Sequence, residues 1–247
     1  VTPDERWLAA VWPFIRAGLP AQPARPARPA QPAHVLELGC GPLGGFVPML
    51  RAAGYDATGV DMAAPDAPGY HRVEFERYDV PQPVEAIVAC TALHHVADLA
   101  AVVRRLASAL APDGRLIVVE WARERLDAAT AAWCFARLPG PENGTGWLHN
   151  RRAEWLASGQ DWDTYLRSWA TGQGHHSGRQ MLAALAAHFV CRSQEYGPYF
   201  FPYLADVSEA DEQAAIDAGH LQATRLQYVG TIGRAGSPGA LGAGSSG

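Results

Sequence analysis

The stretch that most constrains this chain is residues 33–46, Ala-His-Val-Leu-Glu-Leu-Gly-Cys-Gly-Pro-Leu-Gly-Gly-Phe. Val35, Leu36 and Leu38 read as a short buried strand. Gly39, Gly41, Gly44 and Gly45 then turn the backbone sharply, and a helical pattern starts at Phe46. A strand, a glycine loop and a helix in that order build a nucleotide-sized pocket at the carboxyl end of a parallel sheet. The spacing Gly39-x-Gly41-x-x-Gly44 serves a dinucleotide equally well, and such a turn can also stand without a ligand. The loop alone does not name what it holds.

The rest of the chain repeats the strand–helix alternation. Thr2 caps a first helix, with Pro3 at its first position and Asp4 and Glu5 in its first turn. Trp7, Leu8, Val11, Trp12, Phe14 and Ile15 give that helix an apolar face that needs burial. Residues 20–33, rich in Pro, Ala and Arg, read as an extended tether. After the glycine loop, Ala57–Asp61 reads as a second strand closed by a carboxylate. Asp61 lies 20 residues after Gly41, the interval at which an acid meets ribose hydroxyls in such a unit. Val73–Val80 is a third strand candidate ending near Asp79, and Ala86–Cys90 a fourth, wholly apolar strand of the central parallel kind. Thr91-Ala92-Leu93-His94-His95-Val96 follows. A helix over Leu99–Leu110 stops at Pro112-Asp113-Gly114, and Leu116–Glu120 is a fifth strand. The alternation predicts a doubly wound α/β sheet.

Residues 121–177 break the pattern, holding six of the eight tryptophans. This region reads as a helical cap over the carboxyl edge of the sheet, interrupted at 139–146. Most of its tryptophans serve packing. Beyond it come a helix over 179–188, a strand over 190–196, an aromatic loop containing Tyr199, Phe200 and Tyr203, an acidic helix over 209–217, and a last strand over 223–232. The expected organisation is a helix over 1–19, a linker over 20–33 and a core over 34–120. The cap over 121–177, the remaining sheet over 178–233 and a linker-like tail over 234–247 complete it.

Composition removes several chemistries. All 20 cationic residues are arginine, which excludes a P-loop lysine, a Schiff-base lysine and a Tyr-x-x-x-Lys dehydrogenase pair. A net charge of −5 with no basic run argues against nucleic acid as partner. Cys40, Cys90, Cys134 and Cys191 stand far apart, which suggests free thiols in a reducing cytoplasm and no zinc site. The amino end does not read as a signal peptide, and no apolar run approaches the ~20 residues of a membrane span.

Val35-Leu36-Glu37-Leu38-Gly39-Cys40-Gly41, Gly59-Val60-Asp61, Tyr78-Asp79-Val80, Ala92-Leu93-His94-His95-Val96 and Pro112-Asp113-Gly114-Arg115-Leu116 together resemble the class I S-adenosylmethionine (SAM) dependent methyltransferases. The small-molecule type, with Leu-His-His after the fourth strand, is the one matched. The resemblance is strong over about residues 33–120 and loose over the last strand pair. It implies a Rossmann-like, mostly parallel seven-stranded sheet and SAM as cofactor. Glu37 would answer the methionine ammonium, and Gly39, Cys40 and Gly41 would pass close to the ligand. Asp61 would bind the ribose, Met62 would lie beside the adenine, and Asp79 with the Val80 backbone would read its edge. Cys90 and Thr91 would flank the methionine part. Pro42 and an extra residue depart from the Gly-x-Gly-x-Gly form, so the role of Gly44 stays open.

The implied reaction moves a methyl group to N, O or C of a small molecule, here expected to be a bacterial secondary metabolite. His94 and His95 are the base candidates, with one of them, His94 by preference, facing the substrate. Their alternative role is to cap the following helix. Trp121, Trp147, His149, Tyr199, Phe200 and Tyr203 are the expected substrate-lining residues. No metal-ligand spacing accompanies the histidines. Two other classes would use the same fold: a nicotinamide-dependent oxidoreductase, disfavoured by Glu37, Asp79 and the missing lysine, and a SAM-binding cyclase or binding module.

Overall fold

The computed structural model describes residues 1–21, 32–140 and 146–233. Most of the 20–33 linker, the whole 234–247 tail and the middle of the 139–146 interruption lie outside the described residues.

Seven strands form one sheet: β1 (His34–Leu38), β2 (Asp56–Val60), β3 (Tyr70–His71), β4 (Val84–Cys90), β5 (Leu110–Trp121), β6 (Phe189–Gly197) and β7 (Arg225–Ile232). Their order is β3-β2-β1-β4-β5-β7-β6. The first five are mutually parallel, and β7 enters antiparallel between β5 and β6. This is the Rossmann-like methyltransferase fold. The order reverses beside β1, so the crevice of the sheet opens where the glycine loop leaves it.

Strand alternation assigns the two core layers. Leu36 and Leu38 of β1, Ile87 and Ala89 of β4, and Leu116 and Val118 of β5 face α3 (Leu99–Ala109) and α7 (Gly178–Ala186). Val35, Ala86, Val88, Cys90, Ile117 and Val119 face α1 (Pro3–Gly18) and α2 (Val47–Ala52). The same parity puts Glu37 on the α1 side and Glu120 on the α3 side. Two carboxylates are thereby carried to the carboxyl edge on opposite faces.

The first helix forms as its sequence dictates. Thr2 and Glu5 close a reciprocal capping box, and Trp7, Val11 and Ile15 are buried. Arg6 then ties α1 to the far end of the chain, donating to the carbonyls of Pro202 and Val207. The helices α4 (Ala128–Phe135), α5 (Trp147–Ser158) and α6 (Trp162–Gly172) share a third apolar cluster with Trp121, Phe200, Phe201 and Leu204. α8 (Glu209–Asp217) buries Glu212, whose carboxylate accepts the backbone N–H groups of Tyr199, Phe200 and Phe201 at 2.8, 3.1 and 2.6 Å. The aromatic loop is thus held by one carboxylate.

One expected element is corrected. Val73–Val80 is not a strand: the pairing with β2 is made by Tyr70 and His71, and residues 75–77 form a single 3₁₀ turn. Phe75 is buried while Glu74 and Arg77 pair on the surface at 3.2 Å, so the apparent alternation came from a turn with one inward anchor. β5 is also longer than its apolar run. Leu110 pairs with Val84 before the Pro112–Gly114 irregularity, and pairing resumes at Arg115.

Candidate active site

Glu37 stands at the end of β1, within 1% of full burial, and accepts the Phe46 N–H at 3.0 and 2.8 Å through its two oxygens. Burial pushes its carboxyl up to about 8 despite these bonds. Gly45 allows the approach: at φ +55°, a Cβ there would lie 2.2 Å from Glu37 Oε1. Gly41, at φ +59°, faces open space, and its N–H donates to Asp61 Oδ2 at 3.0 Å. The other oxygen of Asp61 accepts from Ala63 N at 2.7 Å, so the carboxylate is fixed at the lip of the crevice. Gly44 is turned away from the crevice, its carbonyl accepting from the Tyr70 hydroxyl.

Three concavities meet here. A cleft of about 620 Å³ is lined by Gly39, Gly41, Asp61, Met62, Phe75 and Thr91, among others. A smaller hollow of about 200 Å³ continues it past Glu37, Cys40 and Cys90 to Trp7. A chamber of about 350 Å³ lies beyond, walled by Trp7, Trp121, Trp147, Trp169, Tyr199, Phe200 and Tyr203, with Asp4 at its edge. Among the described residues, Thr91 lines all three. Thr91 adopts φ 49°, a left-handed conformation that is strained for a β-branched residue and is held by its N–H to Val119 O at 2.8 Å.

The chamber floor carries the histidines. Glu120, fully buried, accepts from the N–H groups of Ala92 and Leu93 at 2.7 and 2.5 Å through Oε1. Its Oε2 accepts from His94 Nδ1 at 2.6 Å, leaving Nε2 for the chamber that His94 lines. His95 lines both the cleft and the chamber, and burial with the His94 charge holds its pKa below the usual imidazole range. His175 meets the His95 ring edge-on at 4.5 Å, and burial pushes it down to about 4. His176 closes the group from behind, its N–H donating to His94 O and its Nε2 to Val96 O. Among the described residues, no group of three or more His, Cys, Asp or Glu side chains is arranged to hold a metal ion.

Of the sequence candidates, Glu37, Gly39, Cys40, Gly41, Asp61, Met62, Cys90 and Thr91 come together along the cleft and hollow. His94, His95, Trp121, Trp147, Tyr199, Phe200 and Tyr203 come together at the chamber. Three do not join them. Asp79 is exposed and paired with Arg105 at 2.9 Å, and Val80 packs against the α3-side core. Both were displaced with the missing strand, and Val73–Glu76 form the cleft wall instead. His149 closes the α4–α5 connection, its ring nitrogens engaged by Gly146 N–H and Pro139 O. Sequence reasoning missed Asp4, Trp7, Glu120 and Trp169. The signal for Glu120 was present: a carboxylate closing an apolar parallel strand, as Asp61 closes β2.

The cradle suits SAM. A carboxylate beside the inner hollow matches an ammonium, a fixed carboxylate at the lip matches a diol, and open space beside Gly41 admits a ligand near the main chain. A family model described as a methyltransferase domain matches residues 14–183. The chain belongs to that family and is a SAM-dependent methyltransferase. Solved structures share the fold at low identity. A SAM-dependent methyltransferase from Mesorhizobium loti is 21% identical, with 90% of this chain and 97% of that one covered and a TM-score of 0.52. The geranyl diphosphate C-methyltransferase of Streptomyces coelicolor is 15% identical over 92% and 81% of the two chains, with a TM-score of 0.52. The N-methyltransferase NodS of Bradyrhizobium japonicum, complexed with S-adenosyl-L-homocysteine (SAH), is 14% identical over 94% and 88%, with a TM-score of 0.50. The search of curated proteins gives no match.

Proposed function

We propose that this methyltransferase acts on a small molecule seated in the aromatic chamber, a secondary metabolite of bacterial metabolism, with His94 as the base. The observation that carries the reading is the meeting of cleft, hollow and chamber at Thr91. The nucleoside end of SAM belongs in the cleft, against Asp61, Met62 and Phe75. Its amino-acid end belongs in the hollow, where Glu37 binds the ammonium. Gly39, Cys40, Gly41 and Cys90 line the passage between them. The sulfonium supplies an activated methyl group when bound.

The chain's own residues do the rest. Thr91 and His95 border the place where donor and acceptor meet, and the ring walls exclude water from it. Glu120 fixes the tautomer of His94, so that Nε2 can take a proton as the acceptor attacks, and then stabilises the imidazolium. Tyr199 and Tyr203, with burial raising both phenols (Tyr203 to about 12), stay protonated and present hydroxyl donors. Burial likewise raises Cys40 and Cys90, which keeps these thiols out of nucleophilic chemistry. The geranyl diphosphate enzyme, a methyltransferase of a small acceptor by its name, supports this reading by fold.

The test is methyl-labelled SAM incubated with the protein and, separately, with a bacterial small-molecule extract, total tRNA and denatured protein. Label is expected in the low-mass fraction alone. Label precipitating with tRNA or protein would overturn the small-molecule reading.

A further inference from the structure

Resting on that reading, we infer that the acceptor is an uncharged, planar hydroxyarene and that the methyl group goes to its oxygen. Shape comes first. The chamber holds about 350 Å³ and its walls are rings: Trp147 meets Trp121 edge to face at 5.1 Å, and Tyr199 lies nearly parallel to Trp121 at 6.3 Å. Rings standing at mixed angles around a flat space favour an aromatic guest, which can stack on one wall and meet another by its edge.

Charge then narrows the class. Among the described residues that line the chamber there is no arginine, and burial holds the His95 and His175 imidazoles toward the neutral form, so a phosphate or carboxylate entering it would meet no permanent cation. An anion taken from water into apolar walls without a partner is strongly disfavoured. A cationic amine is also poorly served. The guanidinium groups of Arg151 and Arg225 lie over Trp169 at 4.6 Å and Trp7 at 5.9 Å, and neither arginine lines the chamber. The outer faces of these two rings therefore carry the chain's own cations, whose positive field opposes a second cation on the chamber side. Among the described residues the one acid lining the chamber, Asp4, is exposed at its edge, and Glu120 is already engaged by Ala92, Leu93 and His94. Neither sign of charge meets a permanent, unengaged buried counter-ion.

The floor supplies the remaining requirement. A neutral hydroxyl needs its proton removed as it attacks, and the Glu120–His94 pair is built for one proton. The hydroxyl proton passes to His94 Nε2, and the oxygen electron pair forms the new C–O bond to the methyl carbon. The C–S bond breaks with its electrons remaining on sulfur. The products are a methyl ether, SAH and a protonated His94, which returns its proton to solvent on release.

A matched set of one ring system separates these requirements: 2-naphthol, 2-(aminomethyl)naphthalene and naphthalene-2-carboxylate. Binding is read by tryptophan quenching on the SAH-loaded protein, and transfer by mass spectrometry with SAM. 2-Naphthol is expected to bind at least about tenfold more tightly than either charged analogue and to become 2-methoxynaphthalene. The His94→Gln variant should bind it equally and fail to methylate it. Equal or tighter binding of the amine or the carboxylate would overturn the charge argument. Binding of 2-naphthol without ether formation would overturn the oxygen-acceptor argument, and failure of all three to bind would overturn the aromatic one. Methylation of the amine would defeat this inference and leave the small-molecule reading standing, whereas label on tRNA or protein in the preceding test would defeat that reading itself.

Discussion

Replacing Glu120 by glutamine probes the chamber floor most sharply. The carboxylate is fully buried and accepts three N–H bonds, two from the backbone and one from His94 Nδ1. In Glu120→Gln the amide oxygen can keep the bonds from Ala92 and Leu93. The amide NH₂ then faces Nδ1, which must become an acceptor, so the ring proton moves to Nε2. His94 is left presenting a donor where a base is required. General-base catalysis is worth roughly 10²–10⁴ in rate, or about 2.7–5.4 kcal/mol of barrier at 1.36 kcal/mol per decade. The stability change is smaller, because both backbone bonds survive. Loss of charge assistance to the three bonds costs about 1–3 kcal/mol, and release from burying a charge offsets part of it. Single-turnover formation of SAH should fall at least a hundredfold, while SAH affinity by calorimetry stays within about twofold of wild type. The limb of the pH–rate profile that reports the base should disappear. Unchanged turnover with an unchanged profile would refute the tautomer argument, and turnover and SAH affinity falling together would assign Glu120 a purely structural role.

Other consequences can be checked separately. Glu37, raised to about 8 by burial, is protonated in the free folded protein at neutral pH. Its proton is lost when an ammonium binds, so calorimetry of SAH at pH 7 in two buffers of different ionisation enthalpy should show proton release that Glu37→Gln abolishes. The same raised carboxyl makes the folded state bind more protons than the unfolded chain between its ordinary value of 4.5 and about 8. Free-protein stability should therefore fall as pH rises through that window, and Glu37→Gln should flatten the Tm–pH curve there. Asp61→Ala should weaken SAM by about 1.5–3 kcal/mol, the worth of hydrogen bonds to a charged group, and unchanged affinity would remove Asp61 from the site. Thr91→Gly should relieve about 1–3 kcal/mol of left-handed strain against about 0.5–1 kcal/mol of glycine entropy. Its Tm should hold or rise while methyl transfer falls, and a clear drop in Tm would contradict the strain.

The sheet was legible because its central strands are short apolar runs, closed by glycine or a carboxylate in β1, β2 and β5 and by Cys90 and Thr91 in β4. β3 was not. Two residues of edge pairing leave almost no periodic trace, and Phe75 between exposed charges imitates a strand. That single error moved the expected adenine contacts to Asp79 and Val80. The donor side of the site was otherwise readable, since Glu37, Gly41 and Asp61 act within one strand–loop–strand unit. The acceptor side depends on contacts across the chain. Trp7 reaches the chamber only because α1 folds back, and it meets Tyr199 edge-on at 4.9 Å, 192 positions away in sequence. Trp169 and His175 arrive from the end of α6 and the turn after it. His149 carried the right chemistry, but its ring is used to close a loop.

A crystal structure of the protein with SAH would show directly where donor and acceptor meet. The adenosine is expected against Asp61 and Met62, the amino group at Glu37, and the sulfur beside Thr91 with its open side facing His94, Trp121 and Tyr199. SAH bound with its sulfur turned away from the chamber, or seated outside the Gly39–Asp61 cleft, would contradict that placement.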